Sequence, residues 1–228
     1  MEAKGDASPV TAADRAAEVA MREVLGARFP EHGIWGEEYG PDRAEAEWLW
    51  LLDPIDGTRA FVTGRPMFGT LIALLHRGVP VLGVIDQPAI GERWLGVAGQ
   101  PTRFRSAMGG VAQCRPCARL GAAELSCTSA DIFTPAQRPG FERLRAAARR
   151  VTWGGDCYAY GLLALGLVDV VCEATMQPWD WAALVPVVQG AGGSLTDWAG
   201  QPLRLDSGGD VLALGDPAML PEAMGLLR

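Results

Sequence analysis

The sequence predicts a layered α/β or α+β sandwich. Three observations point there: an ordinary globular composition, apolar runs of strand length, and an order of helix, then meander, then alternating helix and strand. The chain has 228 residues, 49% apolar and 21% charged. That excludes intrinsic disorder and supports a core without disulfide staples. Ser8-Pro9-Val10-Thr11 with Asp14 reads as a capped helix start, and Ala13, Ala16, Ala17, Ala20, Val24 and Ala27 then recur at helical spacing until Phe29-Pro30. Trp48–Leu52 is a short apolar run before Asp-Pro, predicted as a buried strand delivering Asp53 at its C-terminal end. Phe68–His76 and Val79–Gln87 flank Arg77-Gly78 as a hairpin, with Arg93–Val97 as its third strand. Residues 98–125 are Gly- and Arg-rich and weakly periodic, a seam between halves 1–125 and 126–228 of a single domain. Thr134-Pro135 predicts a helix to about Arg150, Val151–Trp153 a strand, Tyr158–Leu165 a helix and Val168–Glu173 a strand. Asp180 opens an Ala-rich helix, kinked by Pro186, that ends at Gly192-Gly193. Ser194–Trp198 and Val211–Leu214 read as strands and Pro217–Leu227 as a last helix.

The net charge of −7 and the lack of a basic cluster argue against a nucleic-acid partner. No apolar run reaches membrane-spanning length, and the first residues lack a signal pattern, so a cytoplasmic protein is expected. The five cysteines suit no disulfide framework. Cys114-Arg-Pro-Cys117 has zinc or redox spacing, but no second pair completes it, and coincidence is the better reading. Cys157, Cys172 and the eight tryptophans are expected to be structural core.

The informative segment is Asp53-Pro54-Ile55-Asp56-Gly57-Thr58. Two carboxylates at the end of a buried strand are costly unless paired or metal-bound, and oxygen-only ligands suit Mg²⁺. Gly57 and Thr58 are placed to begin a helix whose free N–H groups face a phosphate oxygen. Gly36-Glu37-Glu38 follows a second apolar pair, and Pro178-Trp179-Asp180 puts an acid at a helix start. Taken singly these are a solvated loop, a helix cap and an Asx turn. Only their joint occurrence favours one pocket.

Together, Gly36-Glu37-Glu38, Asp53–Thr58, Trp179-Asp180-Trp181-Ala182-Ala183 and Ala191-Gly192-Gly193 resemble the signatures of the inositol-monophosphatase family of Mg²⁺-dependent phosphomonoesterases. The opening Lys4-x-Asp6-x-Ser8-Pro9-Val10-Thr11-x-x-Asp14 matches too, and the likeness runs along essentially the whole chain. Asp53–Phe61 running into Gly64-Arg65-Pro66-x-Phe68-Gly69-Thr70, and Gly154-Gly155-Asp156-Cys157-Tyr158-Ala159-Tyr160, are most similar to its histidinol-phosphatase branch. The resemblance implies an α-β-α-β-α sandwich, here starting without the family's usual first N-terminal helix, and a homodimer. It implies hydrolysis of L-histidinol phosphate by metal-activated water, with two or three Mg²⁺ ions, Mn²⁺ being a substitute. By position, Glu37, Asp53 and the Ile55 carbonyl resemble ligands of one ion, and Asp53, Asp56 and Asp180 those of a second. Thr58 and Asp14 resemble the pair that orients and deprotonates the attacking water, and the Gly57 and Thr58 amides the phosphate donors. Glu173 falls where relatives contact the alcohol portion; Asp156 and Arg59 are further substrate-contact candidates, Asp156 having an alternative role as a helix cap. Inositol 1-phosphate or another sugar or nucleotide phosphomonoester is the alternative substrate, and a catalytically weakened binding partner the alternative class. A haloacid-dehalogenase mechanism fails because Pro54 stands where its Asp nucleophile would be.

Overall fold

In the computed structural model, residues 2–3, 9–10 and 12–228 are described. Lys4, Asp6, Ser8 and the Thr11 cap of the opening motif lie outside them. Two strands, β1 (Glu2–Ala3) and β2 (Pro9–Val10), pair ahead of helix α1 (Ala12–Arg28). A seven-stranded sheet follows, from β3 (Gly33–Gly36), β4 (Gly40–Asp42), β5 (Trp48–Asp56), β6 (Gly69–His76), β7 (Val79–Gln87), β8 (Glu92–Val97) and β9 (Arg103–Arg105). Its order is β4-β3-β5-β6-β7-β8-β9, and only β3 and β5 run parallel. Helix α2 (Thr58–Val62) leaves the end of β5.

The second sheet contains β10 (Glu124–Cys127), β11 (Arg150–Trp153), β12 (Val170–Glu173), β13 (Ser194–Thr196) and β14 (Val211–Leu214), ordered β11-β10-β12-β14-β13. Between its strands come α3 (Arg138–Ala147), α4 (Asp156–Ala164), α5 (Pro178–Trp181) and α6 (Leu184–Gly190), with α7 (Leu220–Leu227) last.

Burial sorts these into five layers. Trp50 and Leu52 of β5 face Met21 and Leu25 of α1. Leu49 and Leu51 on the opposite face pack with Leu71, Ile85 and Trp94 against α4 and α6, which also meet Val171 and Ala213 of the second sheet. The far side of that sheet, Leu125, Val170 and Leu212, covers Phe141 and Leu144 of α3 and Leu227 of α7. The order is therefore α-β-α-β-α, as the resemblance implies. β5 is buried on both faces, which is why it reads as an uninterrupted apolar run. Among the described residues, no helix is long and apolar enough to cross a membrane.

Several expectations need correction. The apolar stripe on α1 is not its buried face: Ala13, Ala16 and Ala20 are exposed and Val24 is 58% exposed, while Asp14 and Glu18 are the buried residues. β5 continues through Pro54 to Asp56, with a bulge between Asp53 and Asp56, so Asp53 lies inside the strand. The seam holds a strand, β9, across which Trp94 stands opposite Phe104. Thr134 heads a turn, accepting from the Gln137 amide at 3.3 Å, and α3 begins only at Arg138. Pro186 does not kink one long helix. The break falls at Ala182-Ala183, four and three residues earlier, and Pro186 sits in the first turn of α6, where its missing N–H costs nothing. Trp48 and Trp153 are surface residues, unlike fully buried Trp94 and Trp181.

Candidate metal centre and active site

The acidic residues converge. Asp53, Asp56 and Asp180 each offer a carboxylate oxygen, all within 4.8 Å of one another. Parallel pairing of β3 with β5 supplies the fourth: Glu37 leaves β3 with its amide donating to the Leu52 carbonyl at 3.1 Å, and its side chain hydrogen-bonds Asp53. Asp180 is the third residue of α5 and also caps it, accepting from the Gln177 amide at 2.7 Å. The helix-cap reading of Asp180 is thus correct and does not compete with membership of the cluster.

The Gly36-Glu37-Glu38 turn is held from α1. Glu18, fully buried, accepts from the amides of Glu38 at 2.8 Å and Tyr39 at 3.3 Å and from Arg22 at 2.7 Å. A Cβ at Gly36 would collide with the Glu18 carboxylate. Sequence reasoning missed Glu18; its signal was the four-residue spacing Asp14-Glu18-Arg22, an acidic line on an otherwise Ala-rich helix.

Asp53 is 2% exposed and its Oδ1 is buried with no hydrogen-bond partner. Burial, followed by the charges of Asp56, Glu37 and Asp180, holds its pKa well above the usual carboxylate range. Asp56 is also raised by burial, although the Cys157 amide donates to its Oδ2 at 2.5 Å. A cluster of mutually repelling oxygens with an unpartnered buried acceptor fits a hard divalent cation, which would relieve both the repulsion and the missing bond.

Two further candidates, Gly57 and Thr58, follow the cluster directly in the chain. Gly57 has φ +85°, a left-handed conformation natural for glycine, which turns the chain from β5 into α2. Thr58 Oγ1 donates to the Ile55 carbonyl at 3.2 Å. Asp14 is buried in the first turn of α1. A cavity of about 190 Å³ is lined by Asp56, Asp180, Asp156, Glu173, Tyr160 and Met176. Glu173 ends β12, accepts from the Thr128 amide at 2.7 Å, and is pushed up to about 8 by burial. Asp156 opens α4 and is pushed up to about 7 by burial and by Asp56, against the opposing charges of Arg65 and Arg59. Thr128 carries no sequence signal, because it reaches the site through a contact distant in the chain, its amide donating to Glu173; Arg65 stands in a branch-like motif that assigns it no role.

Cys114 and Cys117 are free; burial raises the Cys114 thiol to about 11. Arg115 between them is bound to Asp169 through two nitrogens, at 2.7 and 2.5 Å.

A sequence profile described as the inositol monophosphatase family matches residues 1–224. The chain is 45% identical over 234 residues to the chloroplastic bifunctional phosphatase IMPL2 of Arabidopsis thaliana, covering 99% of this chain and 67% of that protein. It is 37% identical over 211 residues to a histidinol-phosphatase of Chlorobaculum parvum, covering 92% and 80%. The solved structure of an inositol monophosphatase from Zymomonas mobilis is 48% identical and superposes with a TM-score of 0.90 over all of this chain and 87% of that one. Profile, relatives and superposition agree over nearly the full length, and the protein is a phosphatase belonging to the inositol monophosphatase family.

Proposed function

We propose that the protein hydrolyses L-histidinol phosphate to L-histidinol and phosphate in a Mg²⁺-dependent reaction. The observation that carries this reading is the acidic cavity opening on the carboxylate cluster, with Glu173 and Asp156 on its wall. A phosphomonoester whose alcohol is cationic would draw these raised carboxyls into their charged form and match them in sign, whereas a neutral polyol offers no charge to offset their burial. The histidinol-phosphatases among the relatives support the same substrate.

In this reading Glu37, Asp53 and the Ile55 carbonyl would hold one ion, and Asp53, Asp56 and Asp180 would hold a second. When bound, the ions neutralise phosphoryl charge and acidify coordinated water. Thr58 with Asp14 would be the pair that orients the attacking water and takes up its proton. The amides of Gly57 and Thr58 donate to the phosphate. Glu173, Asp156 and Arg59 border the alcohol portion. Catalysis is then positioning plus electrostatics, with no covalent phosphoenzyme.

The test is phosphate release from histidinol phosphate and inositol 1-phosphate, each with Mg²⁺ and with chelator. Histidinol phosphate should be preferred and both activities should need Mg²⁺. Preference for inositol 1-phosphate would overturn the substrate assignment. Li⁺ should inhibit by displacing one ion, and complete insensitivity to it would count against the second site.

A further inference from the structure

We infer that Thr175 is a positioning residue: it fixes the link between β12 and α5, and with that link the placement of Asp180. The inference rests on the reading of Asp180 as a metal ligand and is independent of which ester is the substrate.

Residues 174–177 join Glu173, which ends β12, to Pro178, which begins α5, and Asp180 is the third residue of that helix. Glu173, Ala174, Thr175, Met176 and Asp180 all line the acidic cavity, so one stretch of chain carries two of its carboxylates and the wall between them. Thr175 has φ +61°. Glycine adopts that left-handed conformation freely, whereas a side chain branched at Cβ crowds the neighbouring backbone. Among the described residues, Thr175 is the one β-branched residue in this region. Such strain persists where the surroundings impose it, and it gathers at functional sites.

Here the surroundings act at both ends of the link and in its middle. The Trp198 indole donates to the Glu173 carbonyl at 3.2 Å, and the Gln177 amide donates to the Asp180 carboxylate at 2.7 Å. The Met176 amide donates to the Gly209 carbonyl at 3.1 Å, and a Cβ at Gly209 would collide with the Met176 backbone, so the chain at 209 is pressed against the link. Thr175 Oγ1 donates to the Ala174 carbonyl at 2.6 Å, with the Ile132 carbonyl, on the same cavity wall, at 3.4 Å. With the ends pinned, the bend at Thr175 decides where α5 starts and hence where the Asp180 carboxylate points.

Glycine at this position would remove the strain and, with it, two restraints. The hydroxyl bond to the Ala174 carbonyl would be gone, and the backbone would sample a wide range of φ. The link would then be cheaper to fold and looser in place, and a carboxylate displaced by a fraction of an ångström serves its site less well. A residue of purely structural value would not separate stability from activity in this way.

The experiment compares the full-length wild type with Thr175→Gly and Thr175→Ser. Melting is followed in chelator, and steady-state kinetics are run on histidinol phosphate and inositol 1-phosphate across a range of Mg²⁺ concentrations. Thr175→Gly should melt about 2–4 °C above wild type. It should also lose about fivefold in kcat/KM on both esters and need about threefold more Mg²⁺ for half-maximal activity. Thr175→Ser keeps the hydroxyl and should stay within about twofold of wild type in both kinetic measures. A Thr175→Gly protein that melts below wild type, or that keeps its kcat/KM and its Mg²⁺ requirement, would overturn the inference, as would a Thr175→Ser protein as impaired as Thr175→Gly. Asp180→Asn tests the underlying reading separately: if Mg²⁺-dependent activity survives in that variant, Asp180 leaves the metal centre, whereas unchanged kinetics in Thr175→Gly alone remove only the role of Thr175.

Discussion

Asp53 has a buried oxygen that no donor reaches, beside three other carboxyl groups. Without metal this arrangement destabilises the fold; in the proposed reading it would be the ligand set of the ion. Asp53→Asn should therefore lower Mg²⁺-dependent phosphatase activity by at least ~100-fold while raising the melting temperature measured in chelator. A metal-free mutant that melts below wild type would contradict this account. Glu173 adds a pH dependence. Its folded pKa is raised from its ordinary 4.5 to about 8 by burial. Between those values the folded protein keeps a proton that the unfolded chain has released, so this group favours folding less as pH rises through the interval. Metal-free wild type should lose stability from pH 5 to 8, and Glu173→Gln should flatten that decline, by up to roughly 4 kcal/mol at the alkaline end. Parallel melting curves for the two proteins across that range measure the difference. The Asp53 and Asp56 motif was legible at this scale because adjacent residues carry it. Asp53's missing partner was not, since it depends on what surrounds a side chain.

At the scale of elements, α1 is the instructive case. Its alanine periodicity suggested a helix, and the helix is there, but the side turned inward carries Asp14 and Glu18. The reason is energetic: Glu18 satisfies two amides of the Gly36–Tyr39 turn and pairs with Arg22, and a buried carboxylate with that many donors is tolerated where small alanines gain little from burial. Glu18→Ala should cost about 3 kcal/mol in chemical denaturation by stranding those donors, and should weaken Mg²⁺ binding because Glu37 sits in that turn. A stability loss below about 1 kcal/mol would show the turn to be held by other contacts. The α5–α6 break followed the opposite logic. Proline was read as a kink at its own position, yet its ring conflicts with the carbonyl four residues back, which is Ala182, where α5 ends.

Across the whole molecule, the cluster is assembled from the end of β3, from β5 and from α5, while β12 and α4 supply the cavity wall. Elements of both sheets and of the helical layer between them thus meet at one point. Metal binding should therefore stabilise the entire fold rather than a single loop. Mg²⁺ at about 100 times its dissociation constant should add roughly 3 kcal/mol, seen as a rise in melting temperature reversed by chelator. The rise should be larger at pH 8 than at pH 6, because raised carboxylate pKa values let protons compete with the ion at the lower pH. An Mg²⁺ shift independent of pH would argue that the ligands titrate normally.

The sequence by itself determined the fold class, most strand positions and the identity of the clustered acids, because hydrophobic period and short motifs are local properties that survive without coordinates. Only the tertiary structure decided which face of α1 is buried, where the helix after Gln177 breaks, and that Glu18 holds the Gly36–Tyr39 turn and the Thr128 amide holds Glu173. Those outcomes depend on pairings between residues tens of positions apart, and the free energy of a buried polar group is set by the partners that packing brings to it.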